Sequence, residues 1–214
     1  MSMVQQVKIA LEKAERFESK LPPDTLPLVG YSGHKGRHLL NNLAALFTPY
    51  VEVGCFRGST LICAAYDNAG LILGVDNFTD ECRLGEYMVE TRRALLQNMA
   101  QYSDRSRCSL IDSPCWAVNL TGVPCCFYDG GHTEQDHANA LVMLARWFCG
   151  QFVFVVDDFN RQGVRDGTQR GIDGAKLTVD FYAYLGAAEV DDTVGYWSGM
   201  GVYVLSKPRS STFG

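Results

Sequence analysis

The chain has 214 residues, 47% of them hydrophobic and 20% charged, with a formal net charge of -5. That length suits one domain with a substantial core, and the composition excludes a disordered chain. The acidic balance argues against nucleic acid or an anionic membrane as a partner of the surface as a whole.

Eight cysteines occur without a CxxC pair, which removes zinc-ribbon and thioredoxin readings. No apolar run has the length of a membrane span. The first apolar cluster is short and interrupted by Lys and Glu, unlike a secretory leader. A reduced, cytoplasmic protein is expected.

Val4, Val7, Leu11, Ala14 and Phe17 recur at spacings of three and four, which predicts an amphipathic helix, with Pro22-Pro23 closing it. Residues 1–27 read as this accessory helix and its linker, and 28–214 as a single domain. The helix is expected to pack on its own domain or on a second copy, which leaves a homodimer open. A second helix is predicted over 36–47, with Leu39, Leu40, Leu43, Leu46 and Phe47 in its apolar stripe. A strand at 50–53, a helix over 59–66 and a strand at 71–75 follow. The next helix carries Leu84, Met88, Leu95, Met99 and Tyr102 on one side, and a third strand lies at 109–111.

Residues 123–129 read as a fourth strand. Thr133 and Asp136 have the spacing of a capping box that opens a helix with Ala140, Leu141, Leu144, Trp147 and Phe148 on its inner face. Residues 151–156 form a continuous apolar strand suited to the centre of a parallel sheet. Four glycines within 160–174 predict a long loop that could cover a site. A helix over 176–185 and a closing hairpin of strands at 189–194 and 202–205 complete the chain. The sum is an α/β fold, a doubly wound Rossmann-like sheet, mostly parallel with an antiparallel last strand and helices on both faces.

Ligands of such sheets lie beyond the carboxyl ends of the strands. Glu52, Asp76, Asp112, Asp129 and the pair Asp157-Asp158 all fall at such ends. Gly54 and Gly58 allow a tight turn and close approach of backbone to ligand, and the segment entering at Ser59 offers backbone N–H groups. Asp76, at the next strand tip, can accept two hydrogen bonds from a ribose diol.

The pattern E-x-G-x-x-x-G-x-S from Glu52 to Ser59 departs from the dinucleotide fingerprint and resembles motif I of class I S-adenosylmethionine-dependent methyltransferases. The resemblance spans roughly residues 30–206. It implies S-adenosylmethionine as cofactor, with Glu52, Gly54, Gly58 and Ser59 along its methionine part. Asp76 and Asn77 would then sit at the ribose, and Asp112 and Ser113 at the adenine edge. His34, Lys35 and Arg37 could approach the methionyl carboxylate, although a surface turn is the simpler reading.

Phe127-Tyr-Asp-Gly-Gly-His132 and Val155-Val-Asp-Asp-Phe-Asn160 are similar to segments of catechol-, caffeoyl-CoA- and macrocin-type O-methyltransferases. That likeness implies a divalent metal such as magnesium on Asp129, Asp157 and Asp158, holding the oxygens of a small hydroxylated acceptor. Catechol-type enzymes have a lysine where this chain has His132, so His132 becomes the expected general base, with Asp129 as the other candidate. Two rival readings remain: a nucleoside-binding protein without catalysis, and a nicotinamide-dependent oxidoreductase, which the missing G-x-G-x-x-G disfavours.

Overall fold

A computed structural model describes residues 1–79, 86–103, 107–186 and 192–208. Helices α1 (Met3–Glu15) and α2 (His34–Leu46) precede strand β1 (Tyr50–Val53). Helix α3 (Ser59–Ala65), β2 (Ile72–Asp76), α4 (Glu86–Tyr102) and β3 (Cys108–Asp112) follow. Then come β4 (Val123–Tyr128), α5 (Glu134–Leu144), β5 (Phe148–Val156), α6 (Gln162–Gly174), β6 (Thr178–Leu185) and β7 (Met200–Ser206). The seven strands form one sheet in the order β3-β2-β1-β4-β5-β7-β6. Strands β1 to β5 are parallel, and β7 is antiparallel to both its neighbours.

Alternation along β5 divides the core in two. Val153 and Val155 face a cluster with Leu39, Leu40, Leu43, Leu61, Ile62 and Leu95 from α2, α3 and α4. Phe152, Phe154 and Val156 face the other cluster, with Leu141, Leu144 and Trp147 beneath α5 and Val164 and Ile172 from α6. A strand buried on both faces has no polar side, which is why it reads as one apolar run. Helix α1 buries Val7, Ala10 and Ala14 in the first cluster and packs on α2. Its start is a capping box between Ser2 and Gln5. The capping box expected at Thr133 and Asp136 is also formed.

Three expectations fail near the end of the chain. Residues 160–174 are not a loop, because 162–174 form helix α6. Its glycines at 163, 167 and 171 repeat every four residues and so share one face. That face lies against α5: a Cβ on Gly167 would come within 2.2 Å of the Glu134 carbonyl oxygen, and one on Gly171 within 3.0 Å of that of Ala138. The glycines serve a close helix crossing rather than flexibility. Residues 178–185 are strand β6, not a helix. Thr178, Val179, Phe181, Tyr182 and Tyr184 are β-branched or aromatic, and pairing with β7 outweighs the helical spacing. The hairpin partner of β7 is therefore β6. Of the strand expected at 189–194, Asp192 makes only an isolated bridge to Trp197, 193–194 lie in a turn, and 189–191 fall outside the described residues, as does Leu84.

The α5–α6 contact makes a paired prediction. Gly167→Ala is expected to destabilise by about 1–3 kcal/mol through overpacking. Gly163→Ala, whose Cβ would find nothing nearer than 3.7 Å, is expected to be neutral or stabilising. Thermal denaturation of the two variants checks the difference, and equal melting shifts would contradict it.

Candidate active site

The glycine turn leaves β1 at Gly54, φ +84°, and enters α3 after Gly58, φ +83°. Both glycines occupy the left-handed region, where other residues are strained. Gly54 also meets the neighbouring strand: a Cβ there would lie 1.9 Å from the Asp129 carbonyl oxygen. Asp76, at the tip of β2, holds the turn in shape. Its Oδ2 accepts the N–H groups of Cys55 at 2.7 Å and Phe56 at 3.1 Å, and its Oδ1 accepts that of Phe78 at 2.7 Å. A carboxylate offers about four acceptor positions, so roughly one is left for a ligand hydroxyl.

Glu52 lies under the turn, fully buried. Its Oε1 accepts the Thr60 hydroxyl at 2.7 Å, and Tyr50 donates to Oε2 at 3.4 Å. Burial pushes its pKa up to about 8, against the help of these two donors. Glu52 thus braces the start of α3. Thr60, which supplies its nearer hydrogen bond, was not distinguished in the sequence. Ser59 is buried, and its hydroxyl lies 3.2 Å from that of Ser32.

Farther along the sheet edge, Asn77 is half-buried and accepts the N–H of Thr79 at 3.3 Å. Asp112 registers beside Asp76 on β3. It is exposed and paired with Arg92 of α4 at 2.7 Å, a partner no spacing rule relates to it. The Ser113 N–H reaches back to the Asp76 carbonyl at 3.0 Å.

On the other side, Asp129, Asp157 and Asp158 follow β4 and β5. Burial first, and then the charges of Asp157 and Asp158, hold Asp129 well above the ordinary carboxyl range. Burial and Asp158 raise Asp157 as well. Asp157 Oδ1 is buried without a hydrogen-bond partner among the described residues. Asp158 has φ +54° and turns its Oδ2 to His132 Nδ1 at 3.2 Å and Arg161 Nη1 at 3.3 Å. His132 itself is half-exposed. Among the described residues no three His, Cys, Asp or Glu side chains form a set that could hold a metal ion. The His132 imidazole and the Arg161 guanidinium occupy Oδ2 of Asp158. The divalent cation expected on Asp129, Asp157 and Asp158 is therefore not supported.

His137 is buried inside α5, edge-on to Tyr128, and burial lowers its pKa to about 4. The sequence did not reveal an aromatic group beside the glycine turn. Tyr31 stacks on Phe56 with ring centroids 5.3 Å apart and tilts against Trp197 at 5.9 Å. These rings come from three separate segments, so no local spacing connects them. Phe56 and Trp197 both have positive φ, a strained backbone that directs them to one place.

No protein-family model and no curated protein sequence matches the chain. Solved structures do. An O-methyltransferase structure from Klebsiella pneumoniae, described as putative, matches with a TM-score of 0.57 at 16% identity, covering 94% of this chain and 90% of that one. The chain has the class I S-adenosylmethionine-dependent methyltransferase fold. An O-methyltransferase from Bacillus cereus in complex with SAH matches at 0.57 and 12% identity, over 95% of this chain and 91% of that one. TomG, an O-methyltransferase from Streptomyces achromogenes in complex with SAM, matches at 0.55 and 16%, over 95% and 90%. The methyltransferase fold also includes a putative RNA methyltransferase from Pyrococcus horikoshii, at 0.55 and 12%, so acceptor class does not follow from it. Among the described residues no helix is long and apolar enough to cross a membrane.

The raised pKa of Glu52 predicts a pH dependence. Between its ordinary pKa near 4.5 and about 8, the folded state keeps a proton that the unfolded state releases. Stability should therefore fall as pH rises through this window, by at most about 1.4 kcal/mol per unit for this group. Glu52→Gln keeps an acceptor for Thr60 and removes the ionisation. Urea denaturation at pH 6 and pH 9 should show a shallower decline in the variant, and an unchanged slope would refute the assignment.

Proposed function

We propose that the chain is an S-adenosylmethionine-dependent methyltransferase acting on a hydroxyl of a small molecule. The observation that carries this reading is the Asp76 clamp: a carboxylate at the tip of β2 shapes the glycine turn while keeping one acceptor position for a ribose hydroxyl. In the same reading Asn77 lies beside the ribose, and Asp112 and Ser113 flank the adenine. Gly54, Gly58 and Ser59 line the methionine part, with Glu52 beneath. Proteins of this fold bound to SAM or SAH support the choice of cofactor.

Methyl transfer from a sulfonium is an in-line displacement. The acceptor oxygen attacks the methyl carbon, the carbon–sulfur bond breaks, and S-adenosylhomocysteine leaves as a neutral thioether. The acceptor hydroxyl must also lose a proton. With Asp158 on Nδ1, the neutral imidazole of His132 carries its proton there and presents Nε2 as the base. Asp129, biased by burial toward its protonated form, suits hydrogen-bond donation better than proton removal. The role inferred for Asp158 is orientation of His132, and no step uses a metal. The rings of Tyr31, Phe56 and Trp197 beside the glycine turn favour a flat acceptor.

Calorimetry should detect S-adenosylhomocysteine binding, and Asp76→Ala should abolish it. Absence of heat with both nucleosides would overturn the cofactor assignment. Against a panel of phenols, catechols and sugars, His132→Ala should lower S-adenosylhomocysteine formation by about 10²-fold or more while leaving cofactor affinity unchanged. Cofactor binding without turnover on any acceptor would favour the non-catalytic reading instead.

A further inference from the structure

Asp157 is the buried acid that the chemistry above does not use. It is 8% exposed, and among the described residues its Oδ1 has no hydrogen-bond partner. The sheet ladder continues one residue past the strands at this end. The Asp129 N–H donates to the Val53 carbonyl at 2.8 Å, and the Asp157 N–H to that of Tyr128 at 3.1 Å. Alternation then fixes the faces. Phe127 and Val155 belong to the first cluster, beside α2 and α3. Asp129 and Asp157 follow them on that face, with Glu52 in the row below. Asp158 falls on the other face, where His132 and Arg161 occupy it.

Two of the three neighbouring acids are thus left without a counter-charge. Among the described residues no Lys, Arg or His forms an ion pair with Asp129 or Asp157. The Asp158 N–H helps Asp157, and Arg161 does so through space, yet Oδ1 stays unsatisfied. The basic segment before β1 supplies no partner either. His34, Lys35 and Arg37, expected as a surface turn, begin α2. Lys35 pairs with Glu15, and Arg37 is buried on the Leu26 and Leu28 carbonyls. A buried carboxylate without donors carries a desolvation cost that the fold does not repay. Asp129 is only partly buried, so the pair is open to a ligand that brings its own donors.

The division between faces also selects the kind of cation. Magnesium takes oxygen ligands in a near-octahedral array, and turning Asp158 away removes one of the three acids that would supply them. Two carboxylates on one face suit a primary ammonium, whose N–H donors can be shared between them. A cation there also offsets the burial and mutual repulsion that hold both carboxyls above their ordinary range.

We propose that the methyl acceptor carries an ammonium group beside its hydroxyl, and that Asp157 and Asp129 bind this group at the sheet edge. The proposal rests on the methyltransferase reading and names its substrate class, hydroxy compounds that bear an amine. A protonated amine has no lone pair, so it is held rather than methylated. The hydroxyl oxygen attacks the methyl carbon, the carbon–sulfur bond breaks, and the hydroxyl proton passes to His132.

The test is calorimetry on the complex with S-adenosylhomocysteine, in EDTA. It compares ortho- and meta-aminomethylphenol with the matching hydroxymethylphenols, which differ only in the charged group. The wild-type protein should bind the better amine about tenfold or more tightly than its neutral counterpart. Asp157→Asn should remove most of that preference while changing hydroxymethylphenol affinity less than about twofold, and Asp157→Glu should keep part of it. If Asp157→Asn does not fold, Asp129→Asn should narrow the preference about threefold or more. With S-adenosylmethionine, the product from the preferred amine should be the O-methyl ether. Equal wild-type affinity for amine and neutral phenol, absence of binding by both, or an unchanged preference in the folded variants would overturn the proposal while leaving the cofactor reading intact. An N-methylated product would also overturn it. So would magnesium that tightens the hydroxymethylphenols and abolishes the amine preference, since the acids would then hold a metal. Failure to bind S-adenosylhomocysteine at all would remove the methyltransferase reading and this inference with it.

Discussion

Much of the candidate site depends on one short-range interaction, the capture of the Cys55 and Phe56 N–H groups by the Asp76 carboxylate. A turn with two left-handed glycines has many conformations open to it. Two hydrogen bonds to one charged oxygen select among them and fasten β1 to the tip of β2. Phe56 is then held beside Tyr31, and the chain enters α3 with Ser59 toward the linker and Thr60 toward Glu52. Hydrogen bonds to a charged group are stronger than neutral ones, which suits a clamp on a short turn. The same clamp limits the ligand contacts of Asp76, since an oxygen that shapes the protein has fewer lone pairs to offer.

Crowded acids set the character of the other half. Glu52, Asp129 and Asp157 sit close to low-dielectric surroundings and to one another, and each is pushed toward its protonated form. Asp158 differs because His132 and Arg161 reach it. The contrast separates residues of one chemical type into two roles. Protonated carboxyls can donate hydrogen bonds, and the paired carboxylate can orient an imidazole.

The fold was readable wherever burial followed a regular period. The continuous apolar run of β5, the stripe of α2 and the capping box at Thr133 all correspond to observed elements. Reading failed where one residue type serves opposite purposes. Glycines at 163, 167 and 171 suggest a loop when weighed by propensity, yet their spacing lets two helix backbones approach. Residues 178–185 join a strand because β7 offers an edge to pair with, information their own spacing does not contain. The acids at the strand tips were legible individually. Their partners Arg92, Thr60, His132 and Arg161 were not assigned to them, since strand order and helix placement bring those side chains together.

By itself the amino-acid sequence determined the alternation of strands and helices, the glycine turn and the row of acids along one sheet edge. These follow from periodicity and local backbone freedom, which act over a few residues. Only the tertiary structure decided what each acid and base does. It committed most of Asp76 to the turn, buried Glu52, turned Asp158 to His132 and enclosed Arg37 beneath the linker. Those outcomes depend on dielectric surroundings and on the partners a side chain meets across the fold, quantities that exist only once distant segments have packed.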